Sequence, residues 1–96
     1  MLSYNVYAIG QTALLEAFNT DEAGEPQSPA TPRILLKPPT GPEVELEVTE
    51  EPRGHIFHRL LLEGPAGRYY YRILTEDDAL EHFFVVMAST FTTPLP

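Results

Sequence analysis

The chain has 96 residues, 43% of them hydrophobic, which is enough for one domain around one core. It contains no cysteine, which excludes disulfides, thiolate metal sites and a cysteine nucleophile. Fourteen Asp and Glu against six Lys and Arg give a formal charge of −8, a field that repels phosphate backbones, so nucleic acid is not an expected partner. The opening MLSYNVYAIG lacks a basic region and a long apolar run, and no window approaches the ~20 apolar residues of a membrane span. The expectation is a soluble protein made in the cytoplasm, with no membrane partner.

Residues 3–9, with Tyr4, Val6 and Tyr7, predict a short leading strand that ends at Gly10. In residues 12–18 (TALLEAF), Ala and Leu favour helix locally. The loop that follows at once, NTDEAGEPQSPATP, leaves no room for a helix of ordinary length, so the segment reads as a strand. Ala13, Leu15 and Ala17 then face inward, and Leu14 and Glu16 outward. Residues 33–37 (RILLK) form the next strand with Ile34 and Leu36 inward, and PPTG at 38–41 turns the chain. Residues 43–49 (EVELEVT) alternate most regularly, placing Val44, Leu46 and Val48 against Glu43, Glu45 and Glu47. Residues 50–54 (EEPRG) read as a loop.

Two period-two runs then flank EGPAG at 63–67. In the first, Ile56, His58, Leu60 and Leu62 oppose Phe57, Arg59, Leu61 and Glu63; in the second, Tyr69, Tyr71 and Ile73 oppose Arg68, Tyr70 and Arg72. Alternating aromatic and β-branched residues on both sides of a Gly/Pro turn predict an antiparallel pair of neighbouring strands. TEDDA at 75–79 is a further turn, residues 81–88 (EHFFVVMA) a last strand, and 90–96 a Thr/Pro tail. About seven short strands without a helix predict an all-β sandwich of a single domain, 1–96, with a short extended N-terminal segment. Its core is expected from Leu15, Ile34, Leu36, Val44, Leu46, Val48, Ile56, Leu60, Leu62, Tyr69, Tyr71, Phe84 and Val86.

Reaction chemistry is scarce in this sequence. His55 and His58 differ in parity and point to opposite faces of one strand, whereas His58 and His82 share the inward parity and would approach if their strands were neighbours. No carboxylate accompanies them at ligand spacing, so core-margin histidines are the expectation and no metal is expected. Asp21, Glu22 and Glu25 around Gly24 lack the alternating ligands and distal bidentate Glu of an EF-hand. Ser3, Ser28 and Ser89 stand outside any G-x-S-x-G elbow. No catalytic residue and no cofactor is therefore expected.

The remaining candidate is apolar surface. Phe57, Leu61, Tyr70 and Leu74 fall on the outward side of what read as adjacent strands, and Leu14 and Phe91 join them as candidate protein-interface residues. That much outward aromatic and apolar surface suggests a protein contact. The alternative is that these residues pack only against the N-terminal segment or the Pro-rich loops.

Y-x-x-G at Tyr7–Gly10, D-x-x-G-x-P with a later proline (Asp21, Gly24, Pro26, Pro29) and P-T-G at Pro39–Gly41 continue into Gly54, Phe57, Pro65 and Gly67. Tyr69, Tyr71 and Arg72 and the closing Phe84 and Val86 complete a pattern that resembles small immunoglobulin-like proteins of tailed bacteriophage and prophage structural gene modules. The chain departs from that pattern in carrying Tyr69 where Trp is frequent and in inserting Ala66 between Pro and Gly. The resemblance implies an immunoglobulin-like antiparallel β-sandwich of about seven strands. It also implies a non-enzymatic virion protein made in the host cytoplasm: a capsid decoration protein or a head or tail accessory. Its partners would be major capsid or tail proteins, or further copies of itself. The alternatives are a head-to-tail connector factor and a carbohydrate- or receptor-binding module using the loops at one end of the sandwich. Those loops are rich in Pro, Gly, Glu and Thr and have no Trp, which disfavours glycan recognition.

Overall fold

The computed structural model describes residues 4–29, 31–76 and 78–88. Eight strands follow in chain order: β1 (Val6–Ala8), β2 (Thr12–Phe18), β3 (Arg33–Lys37), β4 (Val44–Leu46), β5 (Thr49–Glu51), β6 (His55–Leu61), β7 (Gly67–Leu74) and β8 (Ala79–Met87). A 3-10 turn, Pro52–Gly54, joins β5 to β6. The strands form a five-stranded sheet ordered β1-β8-β7-β3-β4 and a three-stranded sheet ordered β2-β6-β5. Every pairing is antiparallel except β1 with β8, which is parallel. This is the immunoglobulin-like sandwich that the sequence predicts, with eight strands in place of about seven.

Side-chain alternation sets the core. Ala13 and Leu15 of β2 and Ile56 of β6 face Ile34 and Leu36 of β3, Tyr69 and Ile73 of β7, and Phe84 and Val86 of β8, with Leu62 closing one end; all are buried. Leu46, Val48, Leu60 and Tyr71 pack against this cluster half-buried. Phe84 is its centre: its ring stacks on Tyr69 at 5.2 Å and meets Tyr7 edge-on at 5.6 Å. Ile73, absent from the expected core list, is fully part of it.

Three expectations are corrected. First, EGPAG is no hairpin. β6 belongs to the three-stranded sheet and β7 to the other, so residues 62–66 cross between sheets. Leu62 is buried on the way and is tied to the β1–β2 connection, its amide donating to Gln11 O at 2.9 Å and its carbonyl accepting from Gly10 N at 2.7 Å. Two period-two runs on either side of a turn reveal two strands, but not whether they pair.

Second, residues 43–49 are not one strand. The chain leaves the five-stranded sheet after Leu46 and enters the other at Thr49, so part of the expected EEPRG loop becomes β5. Val44 ends on an edge strand and is 42% exposed, outside the core.

Third, Phe57 has outward parity yet is 4% exposed. Its neighbours on the same face cover it: the His55 ring stacks against it at 4.9 Å and the Arg59 guanidinium lies over it at 4.6 Å. Long amphipathic side chains bury an outward aromatic without any second layer of backbone.

The Tyr69 hydroxyl donates to Pro65 O at 2.7 Å, and burial pushes its pKa above the ordinary tyrosine value. Tyr71 is shifted the same way, first by burial and then by Tyr7 and Glu16. A raised pKa on an acid that is neutral in the fold contributes stability that is fully present below the unfolded value of about 10 and is lost as pH rises through the folded value. Thermal stability should therefore fall above about pH 10, and Tyr69→Phe should flatten that alkaline fall. A flat profile for the wild type through that range, or an unchanged fall in Tyr69→Phe, would remove this role from Tyr69.

Candidate docking face

Pairing of β7 with β3 on one side and β8 on the other gathers outward side chains into one surface. Tyr70 stands opposite Lys37 of β3 and Phe83 of β8, and Arg72 stands opposite Leu35 and Glu81. The Phe83 ring is the hub, with Tyr4 at 4.9 Å, Tyr70 at 6.0 Å and the Arg68 guanidinium 4.6 Å above it. A shallow depression of about 440 Å³ runs beside it, lined by Leu35, Lys37, Glu43, Tyr70, Arg72, Glu81 and Phe83 among others. Tyr70 and Tyr4 are about half exposed, at 48% and 47%.

The charges on this face are of two kinds. Arg72 is bonded to Glu81, and Arg33 binds Glu45 in a two-point contact at 2.8 and 3.3 Å. The Arg33 hydrogen bond holds the Glu45 carboxyl below its ordinary pKa. Lys37 and Arg68 have no carboxylate partner among the described residues: Lys37 Nζ donates to Gly41 O at 2.7 Å, and Arg68 rests on Phe83 and reaches the Tyr70 hydroxyl at 3.4 Å. Counted by sequence, this face holds four of the six cationic side chains (Arg33, Lys37, Arg68, Arg72) and three of the fourteen carboxylates (Glu43, Glu45, Glu81). The rest of the molecule is strongly acidic.

Of the interface residues expected from sequence, only Tyr70 and Leu74 lie on this face. Leu74, opposite Arg33 and Ala79, is half-buried. Leu14, Phe57 and Leu61 lie on the outer face of the other sheet, where Leu14 opposes Arg59 and Leu61 opposes Thr12. Phe91 falls outside the described residues. The expected single patch is therefore two surfaces on opposite sides of the sandwich. Phe83, Tyr4, Lys37 and Arg68 were missed. Phe83 and Arg68 have outward parity in their strands, but their meeting depends on strand order, which the sequence does not reveal.

The outer face of the three-stranded sheet carries a stack in which His55 lies between Phe18, at 4.5 Å and nearly parallel, and Phe57. His55 Nε2 is 2.8 Å from Glu16 and its Nδ1 is 3.5 Å from Glu51. His58 Nδ1 contacts Glu47 O at 2.7 Å. His58 on β6 and His82 on β8 sit in different sheets, so their strands are not the paired neighbours on which the expected approach depended. In the 21–25 turn, one Asp21 oxygen accepts from the amides of Ala23 and Glu25 at 2.9 and 3.0 Å, so that carboxylate closes its own loop. Among the described residues no group of three or more His, Asp or Glu is placed to hold a metal ion.

No family model matches the chain, and no curated protein matches it. Among solved structures it is similar to the crystal structure of the Lin-41 filamin domain, with a TM-score of 0.72 over 91% of this chain and 87% of that one. The two sequences are 16% identical, so the likeness shows the fold alone. That fold is immunoglobulin-like.

Proposed function

We propose that this protein is a non-enzymatic docking domain whose contact surface is the outer face of the five-stranded sheet around Tyr70 and Phe83. The observation that supports this reading is the concentration, on one face of an otherwise acidic molecule, of exposed aromatic rings and of two cations with no carboxylate partner among the described residues. Large aromatics anchor interfaces at low entropic cost, and an exposed cation beside them steers an acidic partner. From the resemblance to phage immunoglobulin-like proteins, the partner is read as a virion protein, with this chain acting as a capsid decoration or head or tail accessory protein.

Co-sedimentation with assembled capsids or tails tests both parts. Tyr70→Glu should weaken binding by about 30-fold or more, the scale of an interface anchor, while the melting temperature stays near wild type because Tyr70 is outside the core. Leu61→Glu, on the opposite face, should bind as wild type. The reverse pattern would move the contact to the three-stranded sheet, and a wild type that sediments with neither structure would remove the virion reading.

A further inference from the structure

The two sheets of the sandwich leave four edges, and three of them are blunted. β1, β4 and β5 are three residues each, and β5 carries Glu50 and Glu51. Short or charged edges resist pairing with another chain. β2 differs. It is a regular seven-residue edge strand with no proline and Glu16 as its one charge.

The register shows which backbone groups of β2 are open. Asn19 N donates to Gly54 O and Leu62 N to Gln11 O, so the hydrogen-bonded positions facing β6 are the odd-numbered ones, Ala13, Leu15 and Ala17. The N–H and C=O groups of Thr12, Leu14, Glu16 and Phe18 point away from β6, and among the described residues no hydrogen bond reaches them. The same four residues carry the outward side chains, with Phe18 at 68% exposed and Leu14 at 39%.

We infer that β2 is a dimerisation edge, pairing antiparallel with β2 of a second copy to join two three-stranded sheets into one of six strands. The edge is self-complementary. With Leu15 on the two-fold axis, Leu14 meets Glu16 of the second copy and Thr12 meets Phe18, so every open position is used over the full strand. Neither glutamate faces the other directly, and each is already held by its own His55. The two apolar outer residues, Leu14 and Phe18, are brought beside the seam.

Solution mass by sedimentation equilibrium, with amide hydrogen exchange by NMR, tests the inference. The wild type should be a dimer in which the amides of Thr12, Leu14, Glu16 and Phe18 are protected. Leu14→Pro should give a folded monomer, because that N–H makes no bond among the described residues, and Leu14→Glu should do the same by setting a like charge against Glu16 of the second copy. Four results would overturn the proposal: a wild type that stays monomeric up to about 1 mM; a dimer whose edge amides exchange freely; a dimer that survives both substitutions; or a monomer with protected edge amides, which would mean that another segment of the same chain covers β2.

Discussion

Phe84→Ala is expected to cost about 3–5 kcal/mol, the range for removing a buried aromatic ring that leaves a cavity. The ring is 2% exposed and touches three tyrosines: stacked on Tyr69, edge-on to Tyr7 and tilted against Tyr71 at 6.1 Å. It lies on β8 where β7 and β1 flank it, so its loss loosens the middle of the five-stranded sheet. A native stability of roughly 0.05–0.15 kcal/mol per residue puts the whole 96-residue domain on the order of 5–14 kcal/mol. One substitution therefore removes about a fifth of that stability or more. Met87→Ala, three residues on and 57% exposed, should stay within about 0.5 kcal/mol of wild type. Urea midpoints of the two variants give the comparison, and a Phe84→Ala loss below about 1 kcal/mol would mean that the surrounding rings collapse into the space.

The fold was legible wherever alternation alone decides the structure. TALLEAF and RILLK are strands with the bounds and inward residues that their period implies, because one face of each is buried and a slip of one residue would expose it. Alternation fails where the decision is made by tertiary partners. β5 has no apolar residue, and it is a strand because β6 offers Phe57, Ile56 and His55 as pairing positions. EVELEVT looks continuous because nothing in a period of two marks a change of sheet.

The candidate site was legible to a smaller degree for a related reason. Parity assigns a side to each residue but says nothing of what covers it, so Phe57 and Tyr70 looked alike while one is capped by His55 and Arg59 and the other is open. Phe57 and Tyr70 also looked like neighbours, since β6 and β7 are consecutive. The sandwich puts them on opposite outer faces, and the true neighbours of Tyr70 come from β3 and β8, more than ten residues away in either direction.

Gly54→Ala, at a buried glycine that ends the 3-10 turn before β6, should be strongly destabilising. The residue has φ +73, a conformation that costs a non-glycine residue about 1–3 kcal/mol. A methyl group there would also stand 2.6 Å from Gln27 O and closer still to Asn19 O, both backbone atoms that cannot swing aside. Those atoms are committed: Gln27 N donates to Asn19 O at 3.0 Å, Asn19 Nδ2 to Gln27 O at 2.8 Å, and Asn19 N to Gly54 O at 2.9 Å. Relieving the clash breaks some of these bonds, each worth about 0.5–1.5 kcal/mol, so the total should reach about 2–5 kcal/mol. Gly24→Ala is the control. Its φ of +83 is similar, but nothing lies within 4 Å of the added methyl, so it should show the backbone penalty alone. The difference between the two urea midpoints isolates the steric contact that locks the loop after β2 onto the start of β6. Equal losses in the two variants would mean that this junction yields freely and that the loop is held elsewhere.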